Sequence, residues 1–375
     1  MIGIEGQYLL EFSLGNRKDF ISSGSLKYFK VIESCGHTLP KWEIKFETSD
    51  NELPRYFHEG NVLTVSFGPN RNQMKTTQLM IVAKEIKPKG SNALVYEAAG
   101  FYALPAYINT PHVRTLGPCS GVEVLNAIND RYFDLDSGNL KSSHEKQVWL
   151  QPSISDKKFL DDIWLHSYLQ NSFVGTGITL AGSYRVRDMV KLMGGEYTHK
   201  FTPSPQGKRD ISYMHATFPS ESGFINNWHG YGKEWAFNML ESGNRLIHKP
   251  KAQTQLSMSN KPTRAYEATK RPSMPTLVTR NHHANHTVAY GNNLMGLSLL
   301  SSENILVTYD QVFDDMSVLD LVMFVDTKAN SSHMADTYSG LYVVESVARV
   351  INEKSFYTTA SIVRECMSGI KGEVR

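Results

Sequence analysis

The sequence predicts a mainly β chain with an α+β middle: two similar β-barrel domains and a helix-containing domain between them. Three observations predict it. Residues 1–112 read as short alternating strands separated by turn residues. Residues 113–250 change to a helical period. In residues 251–375 a long polar excursion gives way to β alternation that closes in a hairpin.

In the first region, strands are expected at Tyr8–Ser13, Leu26–Glu33, Trp42–Thr48, Val62–Phe67, Gln78–Ile86 and Ala93–Ala99. Gly15-Asn16, Gly36, Ser49-Asp50-Asn51, Gly68-Pro69-Asn70 and Pro88-Lys89-Gly90 supply the turns between them. In the middle region, Ser120 caps an expected helix with Val122, Leu125, Ile128, Asn129 and Tyr132 on one face. A second helix opens at Ser155-Asp156 and carries Phe159, Leu160, Ile163, Trp164, Ser167 and Tyr168. A third is expected from Tyr184 to Met193, ended by Gly194-Gly195, with a short strand at Gly177–Leu180 before it.

From Lys249 to Arg280 the chain is rich in Pro, Ser, Thr, Lys and Arg and reads as a solvated excursion. Strands are then expected at Thr287–Tyr290, Leu294–Leu300, Ile305–Thr308 and Val318–Val325. The closing hairpin pairs Leu341–Ile351 with Phe356–Arg364 across the polar turn Asn352-Glu353-Lys354-Ser355. Both β regions end in one order: an apolar strand (NVLTVSFG, 61–68; SVLDLVMFVD, 317–326), a polar turn, then two long strands joined by a Lys-containing turn. That match points to an internal duplication with a period too long for a solenoid.

Composition bounds the function. A hydrophobic content of 41% supports real cores, and 375 residues are more than one ordinary domain needs. A net charge of +2, with the bases of Lys249–Arg271 dispersed, gives no clustered basic face for nucleic acid. Cys35, Cys119 and Cys366 are odd in number and far apart, which reads as reduced thiols and not as a disulfide framework or zinc site. The N-terminus lacks a signal-peptide pattern, and no apolar run approaches the ~20 residues of a membrane span, so a soluble chain made in the cytoplasm is expected.

The candidate chemistry is thin. In RNHHANH (280–286), His282 and His286 have helical zinc-ligand spacing, but no Glu follows the first His and the setting is not helical; no metal is expected there. Trp228, His229, Tyr231 and Trp235 with Glu221 and Glu234 could form a sugar platform or a glycosidase carboxylate pair, although such aromatics more often pack a small core or subunit boundary. VGTGIT (174–179) lacks the residues of a phosphate loop, and DQVFDDMSVLD (310–320) lacks the glycine and final Glu of a calcium loop. No catalytic, cofactor or metal residue is assigned.

Three stretches carry a resemblance: LPKWEIKFETSDNELPRYFHEGNVLTVSFG (39–68), SISDKKFLDDIWLHSYLQ (153–170) and YSGLYVVESVARVINEKSFYTTASIVRE (338–365). They resemble first-barrel strands, a Ser-Asp-capped helix and the final hairpin of the tail-hub (baseplate hub) proteins of long-tailed bacteriophages. Those proteins share their fold with the N-terminal part of type VI secretion spike proteins. The resemblance implies a structural virion protein, not an enzyme, in which three copies form a ring with two similar barrels each. Such a pseudo-sixfold ring adapts a hexameric tail tube to a trimeric central spike.

Implied partners are further copies of the chain, the tube and spike proteins, the tape measure protein and other baseplate proteins, with genome DNA only in transit. The implied place is the tail baseplate of the virion, assembled in host cytoplasm. The chain stops soon after the closing hairpin, so no fused lysozyme or peptidase is expected. In the ring reading, Glu345 and Arg349 are expected to pair across a subunit boundary or point to water. The alternatives are a metal-assisted or glycoside hydrolase, or a carbohydrate-binding module, of a tail.

Overall fold

The computed structural model describes residues 2–202 (apart from 5–7, 19, 22–23, 69–71, 73, 91, 139, 141–145 and 171), then 212–216, 237–241, 244–248, 276–278, 289, 293, 296–297, 300, 303–309, 316–325, 339–352 and 355–364. In the first region the strands are β1 (Ile2–Ile4), β2 (Tyr8–Leu14), β3 (Arg17–Lys18), β4 (Leu26–Ser34), β5 (Lys41–Thr48), β6 (Val62–Gly68), β7 (Lys75–Lys89) and β8 (Ala93–Tyr102). Then follow α1 (Pro105–Asn109), β9 (Pro111–Cys119), α2 (Gly121–Asn129), β10 (Asp134–Asp136), β11 (Gln147–Ser155), α3 (Asp156–His166), β12 (Val174–Ile178), β13 (Ser183–Asp188) and α4 (Met189–Met193). The remainder holds β14 (His199–Phe201), β15 (Ser212–Ala216), β16 (Phe237–Glu241), β17 (Asn244–His248), β18 (Thr276–Val278), β19 (Glu303–Tyr309), β20 (Leu321–Phe324), β21 (Gly340–Asn352) and β22 (Phe356–Arg364).

Strand pairing gives the duplication a physical form. In the first unit β4 pairs β5, β5 pairs β8, β8 pairs β7 and β7 pairs β6, all antiparallel. In the second unit β15 pairs β19, β19 pairs β22, β22 pairs β21 and β21 pairs β20, again all antiparallel. Even the irregularities correspond. Val62, which begins β6, sits opposite Met80, and the β7–β8 register shifts two residues later, at Val82. Leu321, which begins β20, sits opposite Val343, and the β21–β22 register shifts two residues later, at Glu345. A bulge twists and bends its strand, so matched bulges curl both sheets at matched places.

Each unit wraps its own core. Alternation along β5 buries Trp42, Ile44 and Phe46 and exposes Lys41, Glu43 and Lys45. Phe46 stacks on Tyr96 at 4.9 Å with Phe57 edge-on to both. In the second unit Val322, Phe324, Tyr342, Val344, Ala360 and Ile362 fill the equivalent interior. The opposite face of this second sheet is also buried: Leu321, Val343 and Val363 pack against Phe173, Met189 and Met193 of the middle region.

In the middle region α2 starts with a full capping box: Glu123 N–H donates to Ser120 Oγ (3.2 Å) and Ser120 N–H donates to Glu123 Oε2 (2.7 Å). Ser155 is the N-cap of α3, but its side chain makes no capping bond. Instead Asp156, buried in the first turn, accepts from Gln151 Nε2 (2.9 Å), Tyr132 Oη (2.8 Å) and the Arg114 guanidinium.

Several expectations need correcting. Residues 184–188 are strand, not helix, because Tyr184 and Val186 bury at a period of two before the short α4 begins. The strand expected at 177–180 is Val174–Ile178, paired with β13. The strands expected at 287–290 and 294–300 are not seen: the described residues Ala289, Asn293, Gly296, Leu297 and Leu300 are helical. Four of them are buried at intervals of three and four, a helical period hidden in a short apolar run. The sequence groups 212–216 with the middle region, whereas the fold pairs β15 with β19 of the second unit and β14 with β20. Pairing between strands so far apart in sequence leaves no local signal.

Candidate functional site

The two units meet edge to edge. β4 of the first pairs antiparallel with the C-terminal half of β21, Ser346 against Ser34 through Asn352 against Tyr28. This seam joins both units into one 14-stranded sheet. Inside it, Arg349 Nη1 donates to Glu33 Oε1 at 2.6 Å and Arg349 Nη2 donates to Met316 O at 2.7 Å, with both charged side chains buried. Glu345 accepts from Ser361 Oγ at 3.0 Å, and its burial raises its carboxyl above the ordinary carboxylate range. The expectation for these two charges is therefore corrected: Arg349 pairs within its own chain and Glu345 is bonded beside the bulge. The bulge shifts the alternation that placed both on one outward face.

Directly after β4 the chain threads between the second unit and the middle region. Cys35 N–H donates to Glu345 O (2.9 Å) and Gly36 N–H donates to Thr176 O (2.7 Å). Gly36 has φ +91°, a left-handed conformation that glycine adopts without strain. Burial, then the nearby Glu345, pushes the Cys35 thiol far up, which makes it a poor nucleophile.

VGTGIT finds its explanation here. All of β12 is buried, and a Cβ on Gly177 would sit 2.6 Å from Val318 Cγ2. The glycines let the turn 316–320 lie flat on the strand. That turn holds Leu319 at φ 66°, and Leu319 N–H donates to Val344 O at 2.8 Å. Asp320, the described end of the acidic run 310–320, accepts from Ser317 N–H (2.8 Å) and pairs with Arg185 (2.6 Å). Asp136 joins Arg185 and Arg187, and these guanidinium groups lower its carboxyl against the opposing effect of burial. A cleft of about 460 Å³ opens here, with Glu33, Thr77, Asp136, Arg185, Ser317 and Arg349 among its walls.

Two further residues brace the middle region. Asn293 accepts from Val174 N–H (2.8 Å) and donates to the carbonyls of Leu165 and Ser167 (both 2.9 Å), satisfying groups that the end of α3 leaves free. His37 is buried, 2.7 Å from Tyr184 Oη through Nε2, while Asp161 Oδ1 lies 3.3 Å from Nδ1 but off the hydrogen-bonding direction. Burial lowers its pKa, with Asp161 opposing. The folded chain then binds fewer protons than the unfolded chain below about pH 6.5. This contribution to stability is complete above that pH and is lost as the pH falls below it. Thermal melts from pH 7.5 to 5.0 should therefore show a steeper loss for the wild type than for His37→Gln; parallel curves would contradict the assignment.

Among the described residues no three His, Cys, Asp or Glu side chains gather as a metal site. His282, His283 and His286, and the 218–235 stretch with Glu221, Trp228, His229, Tyr231, Glu234 and Trp235, lie outside the described residues. Sequence reasoning missed Glu33, His37, Arg185 and Asn293. Glu33 had a readable signal, since it continues the buried alternation of Phe29 and Val31.

No family model matches the sequence, and no curated protein matches it significantly. Solved structures do match in fold. A tail protein from Neisseria meningitidis is similar with a TM-score of 0.62 at 8% identity, over 96% of this chain and 98% of that one. The 43 kDa tail protein of prophage MuSo2 from Shewanella oneidensis is similar at 0.62 and 7% identity, over 95% and 98%. An E. coli type VI secretion component, described as similar to the T4 tail proteins gp27 and gp5, matches at 0.52 and 7%, over 97% and 79%. The fold is that of these phage tail proteins, shared with the type VI secretion component.

Proposed function

We propose that this chain is a structural tail protein, a hub whose three copies close into a pseudo-sixfold ring between a hexameric tube and a trimeric spike. The carrying observation is the repeated strand order together with the seam. Within one chain, β4 of the first unit pairs the C-terminal half of β21 in the second. By the correspondence of units, β15 matches β4 and β7 matches β21. Among the described residues β15 ends the strand order, and β6 pairs β7 from Lys75 to Met80, with Gly60 and Asn61 bonding Ile81 just beyond. The seam is thus a template for the contact between copies: β15 of one against the later half of β7 in the next. Such head-to-tail contacts form rings when the rotation closes, and they cover strand edges that would otherwise invite aggregation.

In this reading the division at 112/113 and 250/251 separates barrel, brace and barrel, with β14 and β15 lent to the second barrel. The protein is not an enzyme, and its place is the tail baseplate of a virion assembled in host cytoplasm. Its partners are tube, spike, tape measure and other baseplate proteins, and DNA passes only in transit. Light scattering on the purified chain, alone and with a candidate spike, tests the proposal. Three chain masses are expected; a monomer with hydrolytic activity would favour the enzyme reading instead.

A further inference from the structure

The repeat also shows which face of the first unit lacks its cover. In the second unit, Leu321 and Val343 face outward from β20 and β21 and are buried by the middle region of the same chain. Their counterparts in the first unit are Val62 and Met80, with Val82 following at the matched bulge. Val62 and Val82 are exposed, and Met80 is half-buried. Thr64, Ser66, Thr76 and Gln78 extend this outward face, which is neutral on β6 and on β7 up to the bulge; Glu11 of β2 flanks it beside Ser66, and Glu85 follows beyond the bulge. On the same sheet, outward positions of β5 are Lys41, Glu43 and Lys45, the pattern of a solvated face.

A second neutral face has the opposite history. β9 and β11 form a separate two-stranded ribbon whose inner side, through Trp149, Leu116 and Ile154, packs on the middle core. Its outer side carries Val113, Thr115, Val148, Leu150 and Pro152, again without a charge. Val113 is 81% exposed, Leu150 66% and Val148 55%. A solvated antiparallel ribbon normally turns polar residues outward. A stable interface takes roughly 800 Å² from each partner, more than these side chains supply, so each patch is the centre of a wider contact.

We infer that, in the ring proposed above, the β9–β11 ribbon of one copy covers the β6–β7 face of its neighbour. The inference rests on that ring reading. The occupant is a second copy because the matching face of the second unit is covered by a middle region, and among the described residues the ribbon carries the most exposed large apolar side chains of the middle region. A contact between two different patches is heterologous, so one kind of contact covers both on every chain of a closed ring.

Two variants test it by light scattering, with circular dichroism as the fold control: Val148→Asp/Leu150→Asp on the ribbon and Val62→Asp/Val82→Asp on the sheet. All four positions are exposed, and a Ser pair at each site serves if an Asp pair misfolds. Each variant alone should fall from three chain masses to one with an unchanged spectrum. An equimolar mixture should recover dimers, because each partner keeps the patch the other has lost. A wild-type ring whose mass survives either substitution would overturn the inference and leave the ring intact. A mixture that stays monomeric at concentrations where the wild type is trimeric would overturn the ribbon-to-sheet pairing. A monomeric wild type would remove the ring reading and this inference with it.

Discussion

Replacing Arg349 by Ala should cost about 3–5 kcal/mol of folding stability, the usual penalty for removing one partner of a buried ion pair. The loss comes less from the 2.6 Å bond than from what remains. Glu33 would be left buried without its cation, and its Oε2 already has no hydrogen-bond partner. Met316 O would lose its donor as well. Substituting both charges by Met should cost much less, since apolar replacement of a buried pair is often near neutral. Urea unfolding of Arg349→Met, Glu33→Met and the double variant gives the coupling directly. Additive single losses, each under ~1 kcal/mol, would place the pair in the class of exposed surface bridges and contradict its burial in the seam.

Gly177→Ala should be the next most damaging change, with a loss of about 1–3 kcal/mol from overpacking. The new Cβ would lie 2.6 Å from Cγ2 of Val318, which is fully buried. Valine is stiff about χ1 and cannot swing aside cheaply. The turn 316–320 would have to lift, and with it the bond from Leu319 N–H to Val344 O. Val318→Ala in the same chain should restore part of the loss, a non-additivity that a generic glycine effect would not show. Gly24→Ala, with nothing within 4 Å of its added Cβ, is the control and should melt like the wild type. Equal melting temperatures for Gly177→Ala and Gly24→Ala would show that the turn does not rest on β12.

What the sequence disclosed and withheld follows the reach of each interaction. The hairpins of both units were legible because alternation is local: Gln78–Ile86 and Ala93–Ala99 fall inside β7 and β8, and the closing arms fall inside β21 and β22. The Ser120 cap was legible for the same reason. The seam was not, since Glu33 and Arg349 are 316 residues apart and only the sheet brings them together. Gly175 and Gly177 looked like a failed phosphate loop; their purpose shows only when the turn 316–320 lies on them. The 184–188 error has a physical source too. Val186, Met189, Val190 and Met193 satisfy a helical stripe on paper, but Tyr184 and Val186 bury on one side of a strand before the chain turns. The ribbon went unseen because Pro111, Gly117 and Pro118 break its alternation.

The central claim is that one chain supplies two equivalent units of a ring, and its symmetry can be seen directly. Electron-microscopy class averages of the purified assembly, viewed down its axis, should show six similar lobes in three pairs: threefold symmetry with a strong sixfold component. Isolated two-lobed particles, or a ring whose lobes number other than six, would contradict it.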